Sequence, residues 1–144
     1  MAKFVLDNAY LAVETVGAGA TDLTSYTRTV TINFTAAEQD KTVMGNSAMA
    51  RLSGLQDCSV DVEFVADFAD NKLDEWMWNW FSTGIDVGVY VAPEGSTATD
   101  ANPVYEATMI CTSYTLIGCT VCDAAMATAS FMLSSGAQAD RVVS

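Results

Sequence analysis

The chain has 144 residues, 51 % of them hydrophobic, with eighteen acidic and six basic side chains, no histidine and a formal net charge of −12. That length and apolar share fit one domain with a sizeable core and exclude disorder as a description of the whole. The cations Lys3, Arg28, Lys41, Arg51, Lys72 and Arg141 are scattered, which excludes a tight grip on nucleic-acid phosphates, because that needs clustered Lys or Arg. The missing histidine removes the commonest general base and metal ligand. No apolar run approaches the ~18 residues of a membrane span. Asp7-Asn8 breaks the one candidate leader stretch, so the chain is expected to stay in the cytosol with its four cysteines reduced.

In chain order, Phe4–Leu6 and Tyr10–Val13 read as one strand interrupted at Asp7-Asn8. Residues 26–34 place Thr27, Thr29, Thr31 and Asn33 on one face and Val30, Ile32 and Phe34 on the other, the period of two of a half-buried strand. Residues 36–57 come next and are far too long for a hairpin turn, so they are expected to form a long inter-strand loop. Val43, Met44, Met49, Leu52 and Leu55 are spread through it. A solvated linker has no use for such side chains, each of which yields roughly 1.5–3 kcal/mol when its surface leaves water. The segment is therefore expected to pack, either back on its own domain or, the preferred reading, on a neighbouring subunit.

Residues 58–66 alternate again, with Val60, Val62 and Phe64 inward and Ser59, Asp61 and Glu63 outward. A helix over 71–82 is expected next. Asp70 or Asn71 can cap it, and Asp74 and Glu75 place negative charge in its first turn. Leu73, Trp76, Met77, Trp80 and Phe81 recur at helical spacing as one core stripe, and Trp78 falls off that stripe. Gly84 is placed to end the helix in a left-handed conformation. Ile85–Ala92, Val104–Ile117 and Met126–Leu133 read as further strands, with 93–103 a polar tip loop between the first two. Six or seven short strands and one helix predict a mainly β single domain over 1–144. Its expected architecture is a two-sheet antiparallel β-sandwich or barrel with one flanking short α-helix and a long inter-strand loop.

The chemistry-bearing candidates have plainer explanations. Cys119-Thr-Val-Cys122 has the spacing of a redox or zinc half-site. It lies between strands, though, where no helix N-terminus lowers a thiol pKa. Zinc would need Cys58 and Cys111 brought to the pair, so structural thiols are expected. Asp67, Asp70, Asp74 and Glu75 lack the alternating ligands and central glycine of a calcium loop and read as a capped, solvated helix start. Phosphate-loop and nucleophile-elbow patterns are absent. No catalytic residue, metal or cofactor is assigned, and an enzyme is not expected.

Several short motifs in a fixed order carry a resemblance. They are Met44-Gly45 in the long loop, then Arg51-Leu52-Ser53-Gly54-Leu55-Gln56-Asp57 leading into Ser59-Val60-Asp61-Val62-Glu63-Phe64. Asp67-Phe68-Ala69 precedes the helix, Asn102-Pro103-Val104-Tyr105 comes after the tip loop, and Gly118 precedes the last long strand. This order resembles the major tail-tube proteins of long-tailed, siphovirus-like bacteriophages over most of the chain. Cys119 and Cys122 depart from the small turn residues expected in the last hairpin. The resemblance implies a β-sandwich subunit assembled as a hexameric ring, with rings stacked helically and inner strands joined into a barrel around a DNA channel. It implies a virion tail built in the bacterial host cytoplasm, with a tape-measure protein and tail-end proteins as partners, transient DNA passage and no membrane.

Within that family picture, Val43, Met44, Met49, Arg51, Leu52 and Leu55 are inter-subunit loop residues. Asp61 and Glu63 are channel-lining candidates because their strand directly succeeds that loop, with Thr27, Thr29 and Thr31 lining the neighbouring strip. An acidic lumen repels phosphates, so DNA slides without being held. Two alternatives remain. One is a capsid-decoration or neck protein with a similar sandwich. The other is a carbohydrate-binding sandwich with Trp78 and Tyr105 on an exposed platform and the 36–57 segment packed on its own domain.

Overall fold

The computed structural model describes residues 9–15, 19–116, 125–134 and 138–143. These residues form eight strands and one helix in the order β1 (Tyr10–Thr15), β2 (Gly19–Asp22), β3 (Thr27–Asp40), β4 (Arg51–Val65), α1 (Leu73–Thr83), β5 (Val87–Ala92), β6 (Val104–Thr115), β7 (Met126–Leu133) and β8 (Asp140–Val142). All pairings are antiparallel along one hydrogen-bonded path, β2-β1-β5-β6-β7-β4-β3, with β8 added on β6. The mainly β antiparallel expectation holds. The segments Phe4–Leu6, Ile117, Gly118 and Cys119–Cys122 lie outside the described residues.

The path folds on itself through β6. Tyr105–Met109 pair with β5, whereas Met109–Thr115 pair with β7, and the register shifts between Cys111 and Ser113. A bulge of this kind bends a strand and re-aims the side chains beyond it. β6 thereby joins a β2-β1-β5 layer to a β7-β4-β3 layer in a sandwich-like arrangement. Val13, Val89, Met109, Val60, Val62, Phe64 and Phe131, drawn from both layers, form one buried cluster. Alternation is what sends them there, since successive side chains on a strand point to opposite faces.

The two ends of the sandwich differ. At one end the Phe34 and Tyr105 rings meet across the layers at 5.6 Å between centroids. At the other end sits α1, packed along β6. Trp80 Nε1–H donates to Thr15 Oγ1 (3.0 Å) and the Tyr114 hydroxyl to Asp74 Oδ1 (2.9 Å). Trp76 packs edge-on against Tyr26, 6.2 Å between centroids.

The start of α1 is built differently from expectation. Lys72 is the N-cap and makes no side-chain cap bond, while Asn71 adopts φ 55°. Two separate bonds take the place of a cap: the Glu75 carboxylate reaches back to accept from the Asn71 amide (2.8 Å), and Asp67 O accepts from the Asp74 amide (3.1 Å). Neither Asp70 nor Asn71 serves as the cap. Gly84 ends the helix at φ 63°, a left-handed conformation cheap only for glycine.

Burial along α1 obeys the helical wheel. At about 100° per residue, Leu73, Met77 and Trp80 fall within about 60° of one another, and these three are buried. Trp76 sits on one flank, half-buried. Phe81, placed in the core stripe from sequence, lies about 80° from Leu73. It is 39 % exposed, beside the 58 % exposed Trp78.

The largest departure from sequence concerns 36–57. Residues 36–40 continue β3 and 51–57 begin β4, so only 41–50 form a loop. The segment is a β-hairpin extended beyond the sandwich. Long polar stretches such as Thr35–Asp40 lack the alternation that marks a half-buried strand, because this ribbon has no core beneath it. Strands β2 and β8 likewise give no sequence signal: each is short, exposed and without an apolar face.

The wheel sets a stability test. Trp80→Ala should cost the isolated chain about 3–5 kcal/mol in denaturant unfolding, and Phe81→Ala under about 1 kcal/mol. Equal losses would place Phe81 in the core after all.

Candidate assembly surfaces

The extended hairpin is the first surface. Beyond the Phe34–Cys58 pair, β3 and β4 stay paired through Asp40–Arg51, a projection of roughly 20 Å at the usual rise per residue. Between Ala36 and Glu38 one residue faces two on β4, Gly54 and Leu55. Here a Cβ on Gly54 would stand 3.1 Å from Ala37 O and 3.3 Å from Ala37 Cβ, so a larger residue would push the two strands apart by a few tenths of an ångström. The tip is ordered by its own bonds. Thr42 Oγ1 accepts from the Ala50 amide (2.8 Å), the Lys41 amide donates to Ala50 O (2.9 Å), and Asp40 Oδ1 accepts from the Thr42 amide (2.8 Å). The Asn46 amide donates to Val43 O with Gly45 at φ 97°, a type II turn that leaves Met44 at its apex.

None of the described residues covers this ribbon. Val43, Met44, Met49, Leu52 and Leu55 are all exposed, Leu55 at 89 %. Folding back on the described part of its own domain, one of the two outcomes open from sequence, does not occur. Among the described residues Arg51 pairs only with Glu38 at 3.5 Å, with both side chains solvated, a contact worth little on its own.

The second surface is the outward face of the β6-β7-β4-β3 layer. Residues opposite one another share a face, and here Thr29 faces Glu63 and Thr31 faces Asp61. Glu63 and Asp61 in turn face Thr128 and Ser130, and the Ser130 hydroxyl donates to Asp61 Oδ1 (2.6 Å). Beyond them Ser113 and Thr115 lie opposite Ser130 and Thr128. The result is a carpet of hydroxyls and carboxylates across four strands, on the face away from the core and helix.

Thr27 does not belong to this face. A bulge at Arg28 shifts the register so that Thr27 sits opposite Phe64, whose ring is buried. Its hydroxyl donates to Leu23 O (2.8 Å). The bulge is invisible to simple alternation, which assumes an uninterrupted strand.

The tip loop 93–103, expected as a plain solvated loop, is organised around the buried side chain of Asn102. Its Oδ1 accepts from the Glu94 amide, and its Nδ2 donates to Glu94 O and Thr97 O. Elsewhere, the Tyr90 hydroxyl donates to Glu14 Oε2 (2.6 Å), and this bond beside a carboxylate raises the phenol pKa to about 12. Burial raises the Cys111 thiol to about 11 and pushes Cys58 up as well. Both thiols are free, and burial keeps them protonated and inert. Among the described residues no group of three or more His, Cys, Asp or Glu could hold a metal, and the Cys119–Cys122 pair lies outside them.

Trp78 and Tyr105 do not form a shared platform. Trp78 is on the helix end, while Tyr105 is half-buried against Phe34 at the other.

No family model matches the chain, and no curated protein matches it. Solved structures do. A chain from the tail of an empty gene transfer agent particle, refined helically with C6 symmetry, aligns with TM-score 0.71 at 17 % identity over 92 % of this chain and 94 % of that one. A chain of the SPP1 tail tube aligns with TM-score 0.74 at 11 % identity over 95 % and 77 % respectively. A chain of the anti-feeding prophage cap that terminates its tube gives 0.61 at 12 % over 100 % and 95 %. The fold of this chain, antiparallel strands in a sandwich-like arrangement with one short helix, is thus shared with chains of phage-type tails and tubes.

Proposed function

We propose that this chain is the structural subunit of a phage-type tail tube, with six copies closing into a ring and rings stacking around a channel. One observation carries the reading above the rest: an ordered, apolar, exposed hairpin grafted on a fold shared with tube chains. A two-stranded ribbon is marginal by itself in water. Five solvated apolar side chains on such a ribbon represent roughly 1.5–3 kcal/mol each, available when a neighbouring copy covers them. Because the tip is pre-ordered by its own hydrogen bonds, little of that gain is lost to ordering on contact.

The β6-β7-β4-β3 layer supplies the ring. The outer edge of β3 and the Thr112–Thr115 edge of β6 away from β7 pair with no strand among the described residues. Open edges invite pairing, and joining them between copies closes six such layers into one barrel without free edges. The face turned to the lumen would carry Asp61, Glu63, Thr29 and Thr31. Carboxylates there repel phosphates and hydroxyls hold nothing firmly, so DNA passes without adhering. A ring of six would carry a formal charge of about −72, at −12 per copy, much blunted by screening over ~8 Å.

In this role the chain has no enzymatic task and needs no cofactor. Its partners are further copies of itself, a tape-measure protein inside the tube and proteins at the two tail ends. Assembly takes place in the bacterial cytoplasm, before the tail joins the virion.

Replacing Leu52 and Leu55 together by Ser should leave a subunit with unchanged melting temperature that forms no tubes under negative stain. A fall in melting temperature of the isolated subunit would show that the ribbon serves its own domain. A second test concerns the lumen: Asp61→Lys with Glu63→Lys should preserve tubes yet slow or block DNA ejection, since new cations bind phosphates. Ejection at the wild-type rate from normal tubes would place these carboxylates on the outer wall.

A further inference from the structure

Methionine is spread unevenly over the described residues. Met77 and Met109 are fully buried in the core, and Met126 and Met132 are half-buried on β7. Met44 and Met49 are exposed, and both lie in the 41–50 loop of the ribbon. Met44, at the apex of the tip turn, has its side chain wholly in water. Oxidation of a thioether needs the oxidant to reach sulfur, so a peroxide meets these two side chains well before the core ones. The buried thiols are no competing sink. Burial holds Cys58 and Cys111 in the thiol form, and the thiolate is the reactive species.

Met49 is also placed among the bonds that shape the tip. Thr42 Oγ1 lies 3.8 Å from Met49 Sδ and 3.3 Å from Ala50 O, and it accepts from the Ala50 amide at 2.8 Å. A hydroxyl has one proton to give, and a thioether is a weak acceptor for it. A sulfoxide oxygen is polar and accepts strongly, so on Met49 it would draw the Thr42 proton away from Ala50 O. On Met44 the same oxygen turns the apolar apex polar, and covering that side chain no longer removes apolar surface from water.

Resting on the tube reading, we propose that Met44 and Met49 form a reversible oxidation site that sets whether the free chain can assemble. The co-reactant is a peroxide. A sulfur lone pair attacks one peroxide oxygen, and the S–O bond forms as the O–O bond breaks. The thioether is oxidised to the sulfoxide, and hydrogen peroxide is reduced to water. The reverse is the reaction class of methionine sulfoxide reductases, in which a pair of thiols becomes a disulfide and the oxygen leaves as water. Oxidation acts on the ribbon and leaves the sandwich intact, because the core shields Met77 and Met109.

The test treats the full-length free chain with hydrogen peroxide. Trypsin, cutting after Lys41 and Arg51, releases residues 42–51 as one peptide that contains both methionines and no cysteine. Mass spectrometry should show this peptide oxidised about tenfold or more faster than Met77 and Met109. The melting temperature should stay unchanged, while the concentration needed for tube formation rises about tenfold or more. A methionine sulfoxide reductase should reverse that rise. Met44→Leu with Met49→Leu should form tubes equally well before and after peroxide. Equal oxidation of the core methionines, normal tubes from oxidised chains, or loss of tubes in the peroxide-treated double variant would each overturn the site. Untreated wild-type protein that forms no tubes at any concentration would overturn the tube reading as well, and the 42–51 peptide would still report whether oxidation is selective.

Discussion

Everything distinctive about this chain depends on a ribbon that cannot bury its own apolar side chains. Two strands have two faces, and none of the described residues lies beneath either, so Leu52, Leu55, Met44 and Met49 face water. The sandwich is complete without them. Its core draws on β1, β4, β5, β6 and β7 and ends at the Phe34–Tyr105 contact. Different stretches of one strand pair thus differ in burial: Val60, Val62 and Phe64 hold the fold, and the first half of β4 is exposed, free for partners under the proposed role. Local bonding around Thr42 and the close approach of Gly54 to Ala37 shape the ribbon.

Charge is divided along the same line. The loop and the β4 half of the ribbon, 41–56, are free of carboxylates, but its β3 half carries Glu38 and Asp40, opposite Ser53 and Arg51. Lys41 and Arg51 are thus balanced within the ribbon, Arg51 by Glu38 at 3.5 Å, which keeps the exposed hairpin near neutral in a chain of net −12 and spares it the self-repulsion of a uniformly acidic surface. Hydroxyls and carboxylates are concentrated instead on the outward face of the β6-β7-β4-β3 layer, where Asp61 accepts from Ser130. That face can stay wet in an assembly, so it carries the charge.

How much of this is legible in the sequence depends on whether a core lies beneath each segment. Met126–Leu133 reads correctly to the residue, and α1 and its Gly84 terminus nearly so, because burial imposes a period on the side chains. The apolar content of 36–57 sets it apart from a solvated linker, and the structure leaves those apolar side chains exposed. Its strand character stays hidden, since an uncovered ribbon is under no pressure to alternate. Thr27 is misplaced by alternation because a single bulged residue, Arg28, reverses facing and leaves no mark in composition. The helix cap misleads for a similar reason. Asp70 and Asn71 are both good capping types, and only the fold shows that Glu75 and Asp67 O take that role. The hydroxyl and carboxylate face is legible as alternation at Asp61 and Glu63, but its breadth across β7 and β6 needs the pairing register.

Amide hydrogen exchange compared between free subunit and assembled tube tests the central claim most directly. In the free subunit the ribbon amides at 35–57 are hydrogen-bonded but solvated, and should exchange rapidly through local opening. On assembly the same peptides should gain protection of about a hundredfold or more, while the core stretch 58–65, already buried, changes little. Equal exchange of 35–57 in subunit and tube would contradict the account, because it would mean that no neighbour covers the ribbon.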